Sequence, residues 1–103
     1  MNRITRIKQM EECLDRSSEA VKKLSEALDG YKQAQASLRR LTEYYGGALW
    51  MQDLEADEAG KLPSDLKRGV LSEDAVYDLM DENRELVLTM LRLVSAAIEK
   101  HTI

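Results

Sequence analysis

The chain has no phenylalanine, one tryptophan and four tyrosines in 103 residues, so any core must be assembled from Leu, Val, Ile, Met and Ala. Proline occurs once and glycine five times, which leaves long stretches with nothing to interrupt a helix. The single cysteine, Cys13, excludes an intramolecular disulfide and a cysteine-based structural zinc site, since both need several thiols. Such sparing use of thiols points to the reducing cytoplasm. His101 is the only histidine and has no neighbour with which to form a charge relay or a metal site.

The sequence opens Met1-Asn2-Arg3-Ile4-Thr5-Arg6-Ile7, charged and periodic, where a secretory signal would show a basic stub and then an apolar block. No apolar run approaches the roughly 18 to 20 residues that cross a bilayer, so a membrane is not expected as a partner. Nucleic acid is not expected either. A net charge of -4 and a pI near 5.0 lack the basic footprint that phosphate neutralisation demands, and Lys22-Lys23, Arg39-Arg40 and Lys67-Arg68 are only local pairs.

What is present is a helical vocabulary. With 44% hydrophobic and 33% charged residues, the chain is too apolar and too weakly charged overall to stay unfolded, and its length suits one helical domain over residues 1–103. From Asn2 to Asp29, Ile7, Met10, Leu14, Val21, Leu24 and Leu28 recur in steps of three and four, broken only at Ser17, which is a heptad seam. Cys13, Ala20 and Ala27 sit one residue before seam positions and widen the stripe with small side chains. Gly30 is expected to end this helix. A second helix then runs through Ala34, Leu38, Leu41 and Tyr45, folded back antiparallel on the first. Gly46-Gly47 is a point where it kinks or breaks, and Leu49, Trp50 and Leu54 can continue a helical face beyond it.

Residues 60–71 hold two glycines and Pro63 and form the one long connection, packed down through Leu62, Leu66, Val70 and Leu71, with a helical turn after Ser64 that Gly69 closes. The last helix has the clearest start: Ser72 as N-cap, Glu73 and Asp74 at the positive end of the dipole, and Leu71 facing Val76 as a hydrophobic staple. Val76, Leu79, Asn83, Leu86, Met90, Leu93 and Ala97 make a second seam over about 25 residues. Asn83 in that seam is a residue type that can set register or oligomeric state. The expected fold is therefore all-α, a three-helix antiparallel bundle with long first and third helices.

Few residues suggest chemistry. Asp53, Glu55, Asp57 and Glu58 resemble a calcium loop in spacing, but Glu58 occupies the position of the required glycine and Ser64 that of the bidentate glutamate, so a solvated acidic face is expected and no metal. Cys13 lacks a nearby histidine and reads as a small buried hydrophobe. The cluster that stands out is Tyr44, Tyr45, Gly46, Trp50 and Asp53, which gathers three of the five aromatics beside a flexible backbone. It fits either a binding surface or the cap of a helical bundle.

Two strings, Tyr44-Tyr45-Gly46 and Gly69-Val70-Leu71-Ser72-Glu73-Asp74, resemble a family of small bacterial proteins known as domain-of-unknown-function family 4298, over nearly the whole chain. The usual form of the first motif has serine where this chain has Gly47, which weakens any role there that needs a hydroxyl. The resemblance implies no activity, cofactor or partner, but it implies that the two motifs belong together. In an up-down-up bundle they would share one end, with a hydroxyl of Tyr44 or Tyr45 bonded to Glu73 or Asp74. The candidate cluster is thus Tyr44, Tyr45, Gly46, Trp50, Asp53, Ser72, Glu73 and Asp74, a binding site or a structural lock. The leading expectation is a non-enzymatic interaction or accessory module, with a protein partner or a second copy of itself and no cofactor. The alternative is a small-molecule or enzyme-like site at the Tyr44, Trp50, Ser72, Asp74 end.

Overall fold

The heptad spacing of the first forty residues forms one uninterrupted helix. In the computed structural model, which describes residues 2–103, α1 runs Arg3–Tyr44, 42 residues or about 63 Å at 1.5 Å per residue. Asn2 caps it: the side-chain oxygen accepts from the Thr5 backbone N–H at 2.8 Å. On the outer face Glu19 and Lys23 form an exposed i,i+4 pair at 3.7 Å, in the favourable order with the acid first.

Three further elements follow: α2 over Ala48–Glu58, a single 3-10 turn over Gly69–Leu71, and α3 over Ala75–Glu99. The architecture is all-α, with three helices, long first and third members, and no strand among the described residues. By internal contacts the chain divides into two units, Met1–Leu38 and Arg39–Ile103. The first is helix alone. None of its described residues is buried, and the seam lies open, with Ile7, Leu14, Val21 and Leu24 each more than half exposed. The second unit holds the buried apolar residues Trp50, Leu71 and Val76, which come from α2, the 3-10 turn and the first turn of α3.

Gly30 does not end the first helix. It lies within α1, so the segments expected to pair as a hairpin are successive turns of one helix. The reason is visible in the phase: beyond the glycine Tyr31 and Leu38 continue the heptad position of Met10 and Leu24 before it, and one interior glycine costs only about 1 kcal/mol. Helices stop instead where the backbone turns left-handed. Gly46, at φ +77°, follows α1, and Gly60, at φ +69°, follows α2. After α2 the Gly60 N–H bonds the Asp57 carbonyl at 3.0 Å and the Lys61 N–H bonds the Ala56 carbonyl at 2.9 Å, a Schellman closure. α3 closes with the same pair of bonds, His101 to Ile98 and Thr102 to Ala97, and His101 takes the left-handed conformation itself at φ +56°.

Three other local expectations are corrected. Cys13 is exposed on α1, not buried. Gly69 opens the 3-10 turn and closes no turn after Ser64, while a separate turn brings the Leu66 N–H to the Pro63 carbonyl at 3.2 Å. α3 starts at Ala75 with Asp74 as its N-cap residue, so Ser72 stands one turn ahead of the helix. Its hydroxyl still accepts from the Ala75 N–H, at 3.2 Å, and donates to the Gly69 carbonyl at 2.8 Å, tying the 3-10 turn to the helix start.

Glycine substitutions separate these roles. A Cβ at Gly30 meets nothing within 4 Å, so Gly30→Ala should stabilise α1 by about 1 kcal/mol. Gly46→Ala, placed in a left-handed turn, should destabilise by about 1 to 2 kcal/mol. Helical ellipticity followed through thermal unfolding reads both, and equal shifts of the same sign would contradict the assignment.

Candidate functional site

The break at Gly46-Gly47 matters because it lets two consecutive tyrosines reach different parts of the second unit. Gly47 has a close approach of its own: a Cβ there would sit 3.3 Å from the Tyr44 carbonyl oxygen. Tyr44, the last residue of α1, donates its hydroxyl to Oδ2 of Asp53 on α2 at 2.6 Å. Tyr45 donates to the backbone carbonyl of Glu73 at 3.1 Å, across 28 positions of sequence. The tyrosine bond to the second motif therefore goes to the main chain of Glu73 and comes from Tyr45.

Trp50 joins these contacts. Its ring lies edge-on to Tyr45, with centroids 5.1 Å apart and planes at 66°, the arrangement that the ring quadrupoles favour. Its indole N–H donates to the Val70 carbonyl at 2.9 Å. That bond gives a buried polar group its partner and fixes the 3-10 turn to α2. A second tie comes from Arg68, whose guanidinium pairs with the Asp57 carboxylate and also donates to the Ser64 carbonyl at 3.4 Å. Both members of the pair are partly sheltered, with side chains 33% and 25% exposed, so the ion pair counts for more than an open surface one.

The candidate cluster is thus brought together through Tyr44–Asp53, Tyr45–Glu73 and the Tyr45–Trp50 ring pair, with Ser72 one step away in the Gly69–Ala75 turn. Asp74 contributes its backbone carbonyl, which accepts the Asp78 N–H at 2.8 Å. Arg68, Asp57 and the Val70 carbonyl belong to the same arrangement, and sequence reasoning missed them. Asp57 reads as one of several solvated acids and Arg68 as half of a basic pair, and nothing in their spacing of 11 positions marks them as partners.

Two depressions adjoin the arrangement. One, of about 220 Å³, is lined by Tyr44, Asp53, Leu62, Arg68 and Leu71 among others. The other, of about 440 Å³, is lined chiefly by Leu41, Val70, Ala75, Val76 and Leu79. Small-molecule sites start at about 300 Å³, so only the second reaches that size, and it contains none of the predicted acid–base residues. The hydrogen bond to Asp53, with smaller contributions from burial and from the carboxylate charge, pushes the Tyr44 phenol above its usual 10.0. Held as a proton donor to a carboxylate, this phenol is a poor general base at neutral pH.

A family model described as Domain of unknown function (DUF4298) matches residues 7–93. The chain belongs to the DUF4298 family. No match is found among curated proteins or among solved structures. The DUF4298 match spans most of α1, all of α2 and the 3-10 turn, and α3 as far as Leu93, so the Tyr44-Tyr45-Gly46 and Gly69–Asp74 strings both lie inside it.

The hydrogen-bonded cluster makes two predictions. Because the Tyr44 pKa is raised in the folded state, its contribution to stability is complete below about pH 10 and is lost as pH rises through the folded value. Urea midpoints of the wild type should therefore fall between about pH 8 and pH 11 by more than those of Tyr44→Phe, and identical pH slopes would contradict the Tyr44–Asp53 bond. Trp50→Phe, which keeps a ring but strands the Val70 carbonyl, should cost about 1 to 2 kcal/mol by urea denaturation. A neutral result would mean that the indole N–H does not hold the 3-10 turn to α2.

Proposed function

We propose that this chain is a non-enzymatic helical interaction module that uses α1 as its recognition surface and the Tyr44–Asp74 cluster as a structural lock. The carrying observation is the open seam of α1. A helix draws most of its stability from packing an amphipathic face, and a solvated seam of Ile, Leu, Val and Met is a face without its cover. The α3 helix supports the same reading, since Leu86, Leu91, Leu93, Val94 and Ile98 are each more than half exposed.

The cluster reads as a lock because its polar atoms are spent on the protein itself. Tyr44, Tyr45, Trp50 and Ser72 all bond to other parts of the chain, which leaves little to greet a substrate. A second reading rests on the 440 Å³ depression beside Val76: an apolar small molecule would suit its lining. It would be preferred if an environment-sensitive apolar dye bound there with one-to-one stoichiometry and were displaced by Leu79→Trp.

Site-directed photo-crosslinking in the native cells tests the module. A photoreactive residue replacing Leu14 or Leu24 should yield discrete protein adducts, and one replacing Glu12 or Lys23 on the outer face should yield few. No difference between the two faces would sink the proposal.

A further inference from the structure

We infer that the cover of the α1 seam is a second copy of this chain, bound antiparallel along α1. The inference rests on the interaction-module reading and names its partner.

The distribution of residue types around the seam selects the orientation. With Ile7, Leu14, Val21 and Leu28 at the a positions, and Met10, Leu24, Tyr31 and Leu38 at the d positions, the flanking g positions are Arg6, Cys13, Ala20, Ala27 and Ala34. The e positions are Ile4, Glu11, Ser18, Ser25 and Lys32. Between residues 11 and 34, beyond the first turn of the helix, one flank is small and apolar and the other polar. An antiparallel pair sets g against g and e against e, so the small flanks close on each other and the polar flanks stay together at the rim. A parallel pair sets g against e and faces Ala27 with a lysine.

One antiparallel register uses almost the whole helix. Val21 then packs on the partner's Leu24, Leu14 on the partner's Tyr31 and Ile7 on the partner's Leu38. The same register places Glu11 beside the partner's Lys32, twice by symmetry, and Ala20 beside the partner's Ala27. Ser17 falls opposite the partner's Leu28 and Met10 opposite the partner's Gln35, the two weaker layers. The pairing is isologous and closes on itself, as a two-fold dimer requires. Its size is adequate: the a, d, e and g positions between Arg3 and Leu38 are about 20 residues per copy, as in a standard interface of about 800 Å² a side.

Purified full-length protein is the material for the test. Light scattering during gel filtration should give twice the 11.7 kDa chain mass, and a value of one chain mass at high concentration overturns the dimer. Spin labels on the exposed native Cys13 should then lie about 30 Å apart in this register, against less than about 20 Å in a parallel pair. A short distance overturns the orientation.

Charge substitution supplies an independent arm. Leu24→Glu alone and Val21→Lys alone should each be monomeric, and their mixture should recover the dimer, because residues 21 and 24 face each other only when the helices are antiparallel. Trp50 fluorescence reports whether residues 39–103 remain folded in each variant. A mixture that stays monomeric overturns the register. A monomeric wild type that still gives seam-specific crosslinks to another protein overturns self-association and leaves the module reading standing, while a monomer with no such crosslinks removes both.

Discussion

The Trp50 indole bonded to the Val70 carbonyl is the contact on which the second unit depends. Trp50 is the only large aromatic residue buried among the described residues, and its N–H ties α2 to a 3-10 turn that has no regular hydrogen-bond ladder of its own. Removing that tie would release Leu71, which is buried from the same turn, and with it the approach to Val76 at the head of α3. Tyr45 supports the arrangement from both sides, by its ring against Trp50 and by its hydroxyl on the Glu73 carbonyl. The two left-handed glycines make this geometry reachable: Gly46 lets α1 end so that adjacent tyrosines diverge, and Gly60 turns the chain back after α2.

Much of the helical content was legible because it rests on period and punctuation. The 25 residues of α3 and the break at Gly46-Gly47 follow from the spacing of Val76 to Ala97 and from paired glycines. Gly30 misled because glycine carries two meanings, a left-handed stop and a mildly unfavourable helix residue. The unbroken heptad phase from Leu28 to Leu38 distinguishes them, and it is readable in the sequence. The Arg68–Asp57 pair and the Val70 carbonyl were not legible, for a different reason. Main-chain acceptors carry no residue signature, and an ion pair across a loop depends on a path that only the fold sets.

The candidate cluster shows the same limit. Its members could be nominated from composition, aromatics beside glycines and a capping string, but composition does not say where a hydroxyl points. Tyr44 and Tyr45 are neighbours in sequence with identical chemistry, yet one bonds a carboxylate nine positions away and the other a carbonyl 28 positions away. That divergence also bears on chemistry. A phenol already donating to a carboxylate, and an indole and a serine already bonded to carbonyls, form a network whose proton positions are fixed by the protein. Such a network holds geometry well.

A balance of burial connects the hydrogen-bonded cluster to the helices around it. Only Trp50, Leu71 and Val76 are buried apolar residues among the described positions, whereas the exposed faces of α1 and α3 carry many large aliphatic side chains. Small domains are already marginal, because they hide a low fraction of their surface, and three buried residues are far fewer than a helical chain of this length normally relies on. The hydrogen-bonded cluster ties the α1–α2 break to the start of α3, but hydrogen bonds contribute about 1 kcal/mol each and cannot replace a missing core. The apolar area that could do so is present on the helix faces and faces solvent. In the proposed dimer the faces of α1 are covered, so on that proposal folding and association draw on the same side chains.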